Sequence, residues 1–199
     1  TMKESHFFAL LGRMKYIQRW SLMRNTEVEN LQGHSLETAM IAHQLGVLRN
    51  IYFDGNIDVN RLAVLAMYHD VSEVFTGDMP TPVKYFNPKL RALYGEVEQL
   101  ANETLWRTLP ESVQPAYEEA LVSVPEEYEV LLKAADTLSA FMKCVTEKAA
   151  GNNEFNAAYD TIYERLVQMQ LPEVDLFLKV YVPSLTKSLD EMNVSFAKR

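Results

Sequence analysis

Residues 61–70 read Arg-Leu-Ala-Val-Leu-Ala-Met-Tyr-His-Asp, and this stretch decides how the rest of the chain is interpreted. Apolar side chains occupy nearly every position after the first, so no polar face is left over. A helix that is apolar on all sides is typical of a protein interior. The stretch therefore predicts a central, buried helix that ends on two polar residues, His69 and Asp70.

On both sides of this stretch, apolar residues recur with the period of an α-helix. Pro110, Pro125 and the polar turn at residues 151–153 separate the periodic segments. Residues 51–53 could start a hairpin, but the next apolar run is too short, so a loop between helices is the better interpretation. Further helices are predicted at about 3–18, 34–50, 89–108, 126–149, 154–170 and 173–191, the last with a kink near Pro183. The chain is predicted to be one all-α domain over residues 2–199, with Thr1 interpreted as an expression scar.

The composition limits the classes of function. The chain has 199 residues, a formal net charge of −8 and 48% apolar residues. This charge argues against non-specific binding to a nucleic acid polymer, which needs clustered lysine and arginine, but a local cationic site could still bind a small anion. A single cysteine, Cys144, excludes an intramolecular disulfide, and no segment resembles a signal peptide or a spanning helix. We therefore expect a cytoplasmic protein that does not associate with membranes.

Polar residues interrupt two of the most apolar segments. His69 and Asp70 end the first, and Asp136 has Leu132 and Ala140 one helical turn to either side. An unpaired carboxylate in such surroundings costs several kcal/mol, so it must shift its pKa or find a cation. An ion pair or a helix cap would explain each residue taken alone.

Two further residues make a metal the better explanation. His34 lies at the predicted start of a helix, and Glu73 lies one turn after His69. Imidazole and carboxylate ligands together suit a divalent transition metal better than calcium, which prefers oxygen alone.

The arrangement of these residues resembles a known signature. His34, residues 68–73 (YHDVSE) and residues 133–136 (KAAD) are similar to the His…His-Asp…Asp pattern of the HD-domain phosphohydrolase superfamily. Within it, longer segments resemble the bacterial 5'-deoxynucleotidases of the YfbR type. These segments are residues 6–9 (HFFA), 19–20 (RW), 24–25 (RN), 29–30 (EN), 34–36 (HSL), 66–70 (AMYHD), 76–87 (TGDMPTPVKYFN) and 149–155 (AAGNNEF). The similarity covers most of the chain and implies a single-domain helical HD-domain fold.

The resemblance implies a set of metal ligands and a catalytic residue. His34, His69, Asp70 and Asp136 are expected to hold one divalent transition metal ion, Co²⁺, Mn²⁺ or similar. Glu73 is expected to act as general acid or base. We expect a single metal, because only two other histidines, at positions 6 and 43, remain in the chain.

The resemblance also implies substrate-binding roles. Arg19 would bind phosphate, Trp20 would pack against the sugar and disfavour a 2'-hydroxyl, and Asp78 would accept a hydrogen bond from the 3'-hydroxyl. Pro80 and Thr81 would shape the same wall. From the residues alone, Arg19 could equally be a solvated surface cation and Trp20 a core residue.

The expected reaction is hydrolysis of 2'-deoxyribonucleoside 5'-monophosphates to deoxyribonucleosides and phosphate, with little base preference, by a homodimer. Two alternatives remain: an HD-type hydrolase acting on another nucleotide phosphoester, or a regulatory module that binds nucleotide or metal without turnover. One residue departs from the family pattern, since Gly33 stands where a glutamate commonly precedes the first metal-binding histidine. The helix start, or a hydrogen bond to His34, is expected to differ there.

Overall fold

The computed structural model describes residues 4–84 and 86–193. The predicted scar at Thr1, the Tyr85 position of the loop motif and the final part of the predicted domain lie outside these residues. Within them, the only β pairing is an isolated antiparallel bridge between Gln18 and Asn30. The prediction of an all-α fold is therefore confirmed.

Eleven α-helices and four short 3-10 helices make up the described chain. The α-helices are α1 (Phe7–Leu11), α2 (Leu31–Tyr52), α3 (Val59–Met67), α4 (Glu73–Thr76), α5 (Thr81–Lys84), α6 (Pro88–Arg107), α7 (Glu118–Leu121), α8 (Glu126–Ala149), α9 (Asn156–Gln168), α10 (Pro172–Val180) and α11 (Leu189–Met192). The 3-10 helices are Gly12–Tyr16, Gln114–Tyr117, Asn153–Phe155 and Val182–Thr186.

The two longest helices, α2 and α8, pack against each other and form the centre of the fold. Leu45 of α2, Leu62 of α3 and Leu138 of α8 are fully buried in the main hydrophobic core. Helix α8 begins where the sequence predicts, with Pro125 at its N-cap. Helix α2 begins at Leu31, three residues before the predicted start at about residue 34, because the Asn30 side chain caps it by accepting a hydrogen bond from the Gly33 N–H. Burial of apolar faces thus fixes the relative position of these two helices.

A buried ion pair ties α2 to α10. The guanidinium of Arg49, on α2, donates hydrogen bonds to the Glu173 carboxylate on α10. The Glu173 side chain is only 1% exposed and the Arg49 side chain is 26% exposed, so the carboxylate is shielded from water while its partner is partly solvated.

The central helix predicted at residues 61–70 differs from α3 in length and in burial. Helix α3 begins at Val59, after an Asp58 cap, and already ends at Met67. Val64 and Met67 are 46% and 44% exposed, so the prediction of burial on all sides is wrong. His69 and Asp70 lie in the turn that follows. There the backbone leaves the α-helix at Tyr68, and its N–H groups bond to the carbonyl three residues earlier instead of four.

Other predicted boundaries also shift. In place of the helix predicted at about 3–18, the structure has the short α1 (Phe7–Leu11), which is followed directly by the 3-10 helix Gly12–Tyr16. Residues 51 and 52, predicted to be loop, form the last turn of α2, and the loop between helices starts at Phe53. The helix predicted at 173–191 is divided into α10, Val182–Thr186 and α11, with the break at Tyr181, just before the expected kink at Pro183. None of the helices in the described ranges is both long and apolar enough to cross a bilayer.

Candidate active site

Four side chains from three separate parts of the chain meet at one point. His34 comes from the first turn of α2, His69 and Asp70 from the turn after α3, and Asp136 from the middle of α8. One ligand atom of each lies within 4.8 Å of all the others. His34 Nε2 is 3.0 Å from Asp136 Oδ1, and His69 Nε2 is 3.0 Å from Asp70 Oδ2. The residues predicted to bind the metal are thus brought together.

The tautomer of His69 leaves a lone pair pointing into this cluster. Its Nδ1 lies 2.7 Å from the Ala66 carbonyl oxygen, which only accepts, so Nδ1 must carry the hydrogen. In the neutral ring, Nε2 then has a lone pair that faces the carboxylates. That buried nitrogen makes no hydrogen bond with any residue of the described ranges, although carboxylate oxygens lie close to it. Acceptors that converge in this way require a cation or protons between them.

A hydroxyl group from α8 holds His34 in the same tautomer as His69, with the hydrogen on Nδ1. Ser139 donates its hydroxyl hydrogen to Glu37 at 2.6 Å, so its oxygen accepts from His34 Nδ1 at 3.0 Å. His34 Nε2 therefore also presents a lone pair to the carboxylates. Among the described residues, a side-chain carbon at Gly33 would meet the Asn30 side chain at an ordinary contact distance of 3.6 Å, so the position has room for a larger residue. The expected difference at the helix start, or in a hydrogen bond to His34, stays a prediction.

The charges around the cluster favour a bound cation. Burial lowers the pKa of His69, but the Asp70 charge and the contacts with both carboxylates outweigh it and hold the pKa well above the usual value. The pKa of His34 is raised in the same way. Despite burial, the histidines hold the pKa values of Asp70 and Asp136 below their usual range. Two neutral imidazoles and two carboxylates would balance one divalent ion, so the donor set fits the expected metal.

A cavity of about 580 Å³ opens directly onto the cluster. Asp70 and Asp136 form part of its wall, so a bound cation would be reached from the cavity. The predicted residues Arg19, Trp20, Glu73, Asp78, Pro80 and Thr81 all line the same cavity. Its size falls within the range of sites for small ligands.

Arg19 is held at the cavity by an ion pair rather than by a helix. Its Nε donates to Glu29 at 2.6 Å, and its Nη1 lies 3.8 Å from Asp70 Oδ2. Its backbone N–H donates to the Glu29 carbonyl beside the isolated bridge, which fixes the segment against the start of α2. The Arg19 side chain is only 12% exposed, so it is not a solvated surface cation.

Trp20 takes up a backbone conformation that tryptophan rarely adopts. Its φ of 57° is in the left-handed region, where a Cβ atom is crowded. The ring packs against Phe155, with the centroids 5.3 Å apart, and the buried Nε1 makes no hydrogen bond within the described part of the chain. Trp20 is therefore part of the cavity wall rather than of the core.

Glu73 lies at the first position of α4, not on a continuation of α3 as the sequence suggested. It nevertheless points into the cavity, because the turn at residues 68–72 directs α4 to the same side. Burial, reinforced by the charges of Asp70 and Asp78, raises the pKa of Glu73 to about 9. Its Oε2 is buried and makes no hydrogen bond to the residues that the structure describes. In the protein without metal, this shift favours the protonated form of the side chain at neutral pH.

The segment that holds Asp78, Pro80 and Thr81 follows a glycine turn. Gly77 has a φ of 70° and closes α4 with a hydrogen bond from its N–H to the Glu73 carbonyl. Because glycine has no Cβ, it adopts this conformation without strain. The turn directs the next residues along the cavity, and burial raises the pKa of Asp78 there.

Several residues at the cavity and behind the cluster were not predicted from the sequence. Ser139 reads as one more small residue of a buried helix, and Arg165 as a charge on the exposed face of α9. Helix α9 supplies a whole side of the cavity through Ala157, Ala158, Thr161, Ile162 and Arg165. Nothing in the local pattern of α9 distinguishes these positions, since only the packing of α9 beside α8 brings them to the site.

Cys144 and His43 lie apart from the cluster. Cys144 is a free, buried thiol, and burial raises its pKa to about 12, so it is a core residue, as predicted. His43 is not part of the cluster; among the described residues, only one group has the geometry to hold a metal.

Comparison with known proteins places this site in a family. Residues 6–185 match the family described as 5'-deoxynucleotidase YfbR-like. The chain is 47% identical to a curated 5'-deoxynucleotidase of Cronobacter sakazakii over 194 residues, covering 96% of this chain and 98% of that protein. It is also 47% identical to a 5'-deoxynucleotidase of Yersinia pestis over 192 residues, with the same coverage.

Solved structures show the same fold at lower identity. An HD-domain phosphohydrolase from Listeria innocua superposes with a TM-score of 0.79 at 24% identity, over 95% of this chain and 92% of that one. An HD phosphohydrolase of cyanophage S-2L, bound to dA and one catalytic Zn²⁺ ion, superposes with a TM-score of 0.62 at 19% identity, over 92% and 99%. With this fold and these relatives, the chain belongs to the YfbR-like family of 5'-deoxynucleotidases.

Proposed function

We propose that the protein hydrolyses 2'-deoxyribonucleoside 5'-monophosphates to deoxyribonucleosides and phosphate, selects against ribonucleotides and accepts several bases. The observation that carries this proposal is the His34, His69, Asp70 and Asp136 cluster at the floor of a cavity that also holds Arg19. The curated relatives described above are named for this activity, which supports the substrate class.

The metal in this proposal is one divalent transition ion, Co²⁺, Mn²⁺ or similar, held by His34, His69, Asp70 and Asp136. The cyanophage structural relative binds Zn²⁺, so zinc belongs to the same range of candidates. Such an ion would polarise a phosphoryl oxygen and lower the pKa of a water molecule. The Ser139 and Ala66 contacts would keep both imidazoles in the tautomer that ligation needs.

Arg19 and Glu73 would act on the phosphate. The Arg19 guanidinium, already oriented by Glu29, would bind phosphate oxygens through its planar donors. Glu73 would donate its proton to the leaving 5'-oxygen, which its raised pKa permits at neutral pH. A water molecule would form the new P–O bond as the bond from phosphorus to the 5'-oxygen breaks, and one of its protons would replace the proton that Glu73 gave up. An uncharged nucleoside and inorganic phosphate, an anion, would then leave the cavity.

Trp20 and Asp78 would recognise the sugar. The Trp20 ring, seated on Phe155, would pack against the deoxyribose and leave no room for a 2'-hydroxyl. Asp78 would accept a hydrogen bond from the 3'-hydroxyl, and Pro80 and Thr81 would complete that wall.

Phosphate release from matched nucleotides tests the proposal. Metal-loaded protein should release phosphate from deoxyribonucleoside 5'-monophosphates about 100-fold more efficiently than from the ribose forms, the scale on which a pocket rejects an added hydroxyl. The Asp136→Asn variant, which removes one carboxylate charge from the cluster, should release none. Equal rates for deoxy and ribo substrates would refute the sugar roles of Trp20 and Asp78, and release from neither would refute the proposed function.

We also propose that the protein is a cytoplasmic homodimer. Helix α6 supports the dimer, because Leu93, Val97 and Leu100 on it are 48%, 48% and 61% exposed. Exposed apolar side chains at such spacing are typical of a contact surface. Sedimentation equilibrium of the full chain would give the mass of a monomer if this proposal is wrong.

A further inference from the structure

The segment that presents Trp20 to the cavity has almost no regular structure of its own. Residues 20–30, which we call the Trp20 loop, run from the isolated bridge back to the cap of α2. Within the loop, the Trp20 carbonyl accepts hydrogen bonds from the Met23 N–H at 3.0 Å and from the Asn25 side-chain amide at 3.2 Å. The next residue, Thr26, is where the loop is fastened to the rest of the molecule.

The fastening group is Glu147, a carboxylate near the end of α8 with a side chain only 1% exposed. It accepts hydrogen bonds from the Thr26 N–H at 3.0 and 3.1 Å, from the Thr26 hydroxyl at 2.7 Å and from the Glu27 N–H at 3.3 Å. The Asn152 side-chain amide donates a further bond at 2.8 Å and also binds the Arg24 carbonyl. One buried carboxylate therefore holds Thr26 and Glu27 of the Trp20 loop directly and Arg24 through Asn152.

Lys143 completes this arrangement from one helical turn earlier. Its ammonium group binds both the Glu147 carboxylate and the Glu27 carbonyl. The Lys143 side chain is 7% exposed, so the ion pair is shielded from water. These contacts hold the pKa of Glu147 below its usual range and keep it charged.

The same group of residues supports the Trp20 ring from behind. Phe155, which contacts the Trp20 ring, lies two residues beyond Asn153 in the turn after α8. The Lys143 ammonium lies 5.5 Å from the centre of the Phe155 ring. Glu147 and Lys143 thus link two parts of the structure: the Trp20 loop, and the Phe155 ring against which the Trp20 ring packs.

We propose that Glu147 is a positioning residue for sugar discrimination: it holds the Trp20 loop so that the Trp20 ring lies against the deoxyribose. This inference rests on the proposed function for its substrate, but the placement of Trp20 is a separate property of the chain. Glu147 does not line the cavity, so it acts through Trp20 and not on the nucleotide.

The test variant is Glu147→Gln, and the matched control is Glu173→Gln. Both replace a carboxylate that is 1% exposed and paired with a cation, but Glu173 binds Arg49 between α2 and α10, outside the cavity. In Glu147→Gln, the amide NH₂ group would replace an oxygen that accepts hydrogen bonds. It would face other donors, the Thr26 N–H and hydroxyl and the Lys143 ammonium, so we expect the loop to detach from α8. The control removes the same charge without touching the Trp20 loop.

Steady-state kinetics gives the first readout. For Glu147→Gln we expect the ratio of kcat/KM for deoxy- over ribonucleoside monophosphate to fall by about tenfold, mainly through KM for the deoxynucleotide. The metal content should stay that of the wild type. Glu173→Gln should keep the wild-type ratio even if it unfolds at a lower temperature.

Fluorescence gives a second readout that needs no substrate. The chain has two tryptophans, so a Trp106→Phe background leaves Trp20 as the sole tryptophan, which can be excited selectively at wavelengths where tyrosine does not absorb. Quenching of Trp20 by acrylamide should increase in Glu147→Gln and remain at the background level in Glu173→Gln. If Glu147→Gln does not fold, Thr26→Val, which removes only the hydroxyl donor, should change both readouts in the same direction.

Unchanged selectivity and unchanged quenching in a folded Glu147→Gln variant would overturn the proposal. Equal changes in Glu147→Gln and Glu173→Gln would also overturn it, because they would reflect a general loss of stability. If no form hydrolyses a nucleotide, the proposed function fails, and the quenching experiment still decides whether Glu147 positions Trp20.

Discussion

At the scale of single residues, the surroundings of each polar group in the site determine whether it carries a proton and on which atom. Glu73 is the clearest case, since burial and two neighbouring carboxylates hold its proton in place. His69 is another, because the Ala66 carbonyl determines which ring nitrogen carries hydrogen. The chemistry of each side chain therefore follows from its immediate contacts.

The Glu73→Gln variant tests the proton role. Glutamine keeps the shape of the protonated acid but cannot transfer a proton, so we expect kcat to fall by about 10²–10⁴-fold. Its metal content, measured by elemental analysis, should equal that of the wild type. The Glu129→Gln variant, at an exposed α8 position paired with Lys133, should keep full activity. Wild-type kcat in Glu73→Gln would remove Glu73 from the mechanism.

At the scale of elements, short connections direct functional side chains more than the long helices do. The turn between α3 and α4 carries His69 and Asp70, and Gly77 then sends Asp78 along the cavity wall. Such turns need particular backbone conformations, and one of them requires glycine.

Two glycine substitutions separate backbone conformation from packing. A Cβ added at Gly77 or at Gly95 would meet no atom within 4 Å, but only Gly77 has a positive φ. Gly77→Ala should destabilise the protein by about 1 kcal/mol and raise KM, because Asp78 moves. Gly95→Ala, inside α6, should stabilise it by up to about 1 kcal/mol with KM unchanged. Thermal unfolding and nucleotide kinetics measure both, and similar effects of the two substitutions would contradict the argument.

At the scale of the whole molecule, the metal cluster joins α2, the turn after α3 and α8. Interactions within this cluster therefore contribute to the free energy of unfolding of the entire domain. In the protein without metal, the raised pKa values of His34 and His69 mean that protons bind these residues more tightly in the folded state. This contribution is fully present below about pH 6.5 and is lost as pH rises through the folded-state pKa values. Asp70 and Asp136, with lowered pKa values, contribute above about pH 3.9 and lose that contribution as pH falls further.

Removal of the metal should consequently lower the unfolding temperature by a larger amount at higher pH. With a chelator present, we expect the unfolding temperature to fall between pH 6.5 and 8.5, whereas protein loaded with Mn²⁺ or Co²⁺ should lose little. Metal binding competes with protons on the histidines, so the gap between the two forms should widen with pH. Scanning calorimetry of both forms measures that gap, and a gap that narrows would contradict the prediction.

Local patterns in the sequence determined much of this protein. The bounds of α6 and α8 are predicted to within a residue, because Pro110, Pro125 and the apolar period mark them. The candidate metal ligands are named from the sequence through the resemblance of His34, residues 68–73 and residues 133–136 to a known signature. The apolar neighbours of Asp136 alone also fit an ion pair or a helix cap.

Only the tertiary structure decided how these residues meet. Residues 34, 69 and 136 come together because α2, α3 and α8 bury a common core, and that convergence has no local signal. The same holds for the end of α3 at Met67 and for the packing of the Trp20 ring against Phe155. A period of 3.6 residues records which face of a helix is buried, but contacts between distant segments determine where that helix stops and what its polar side chains touch.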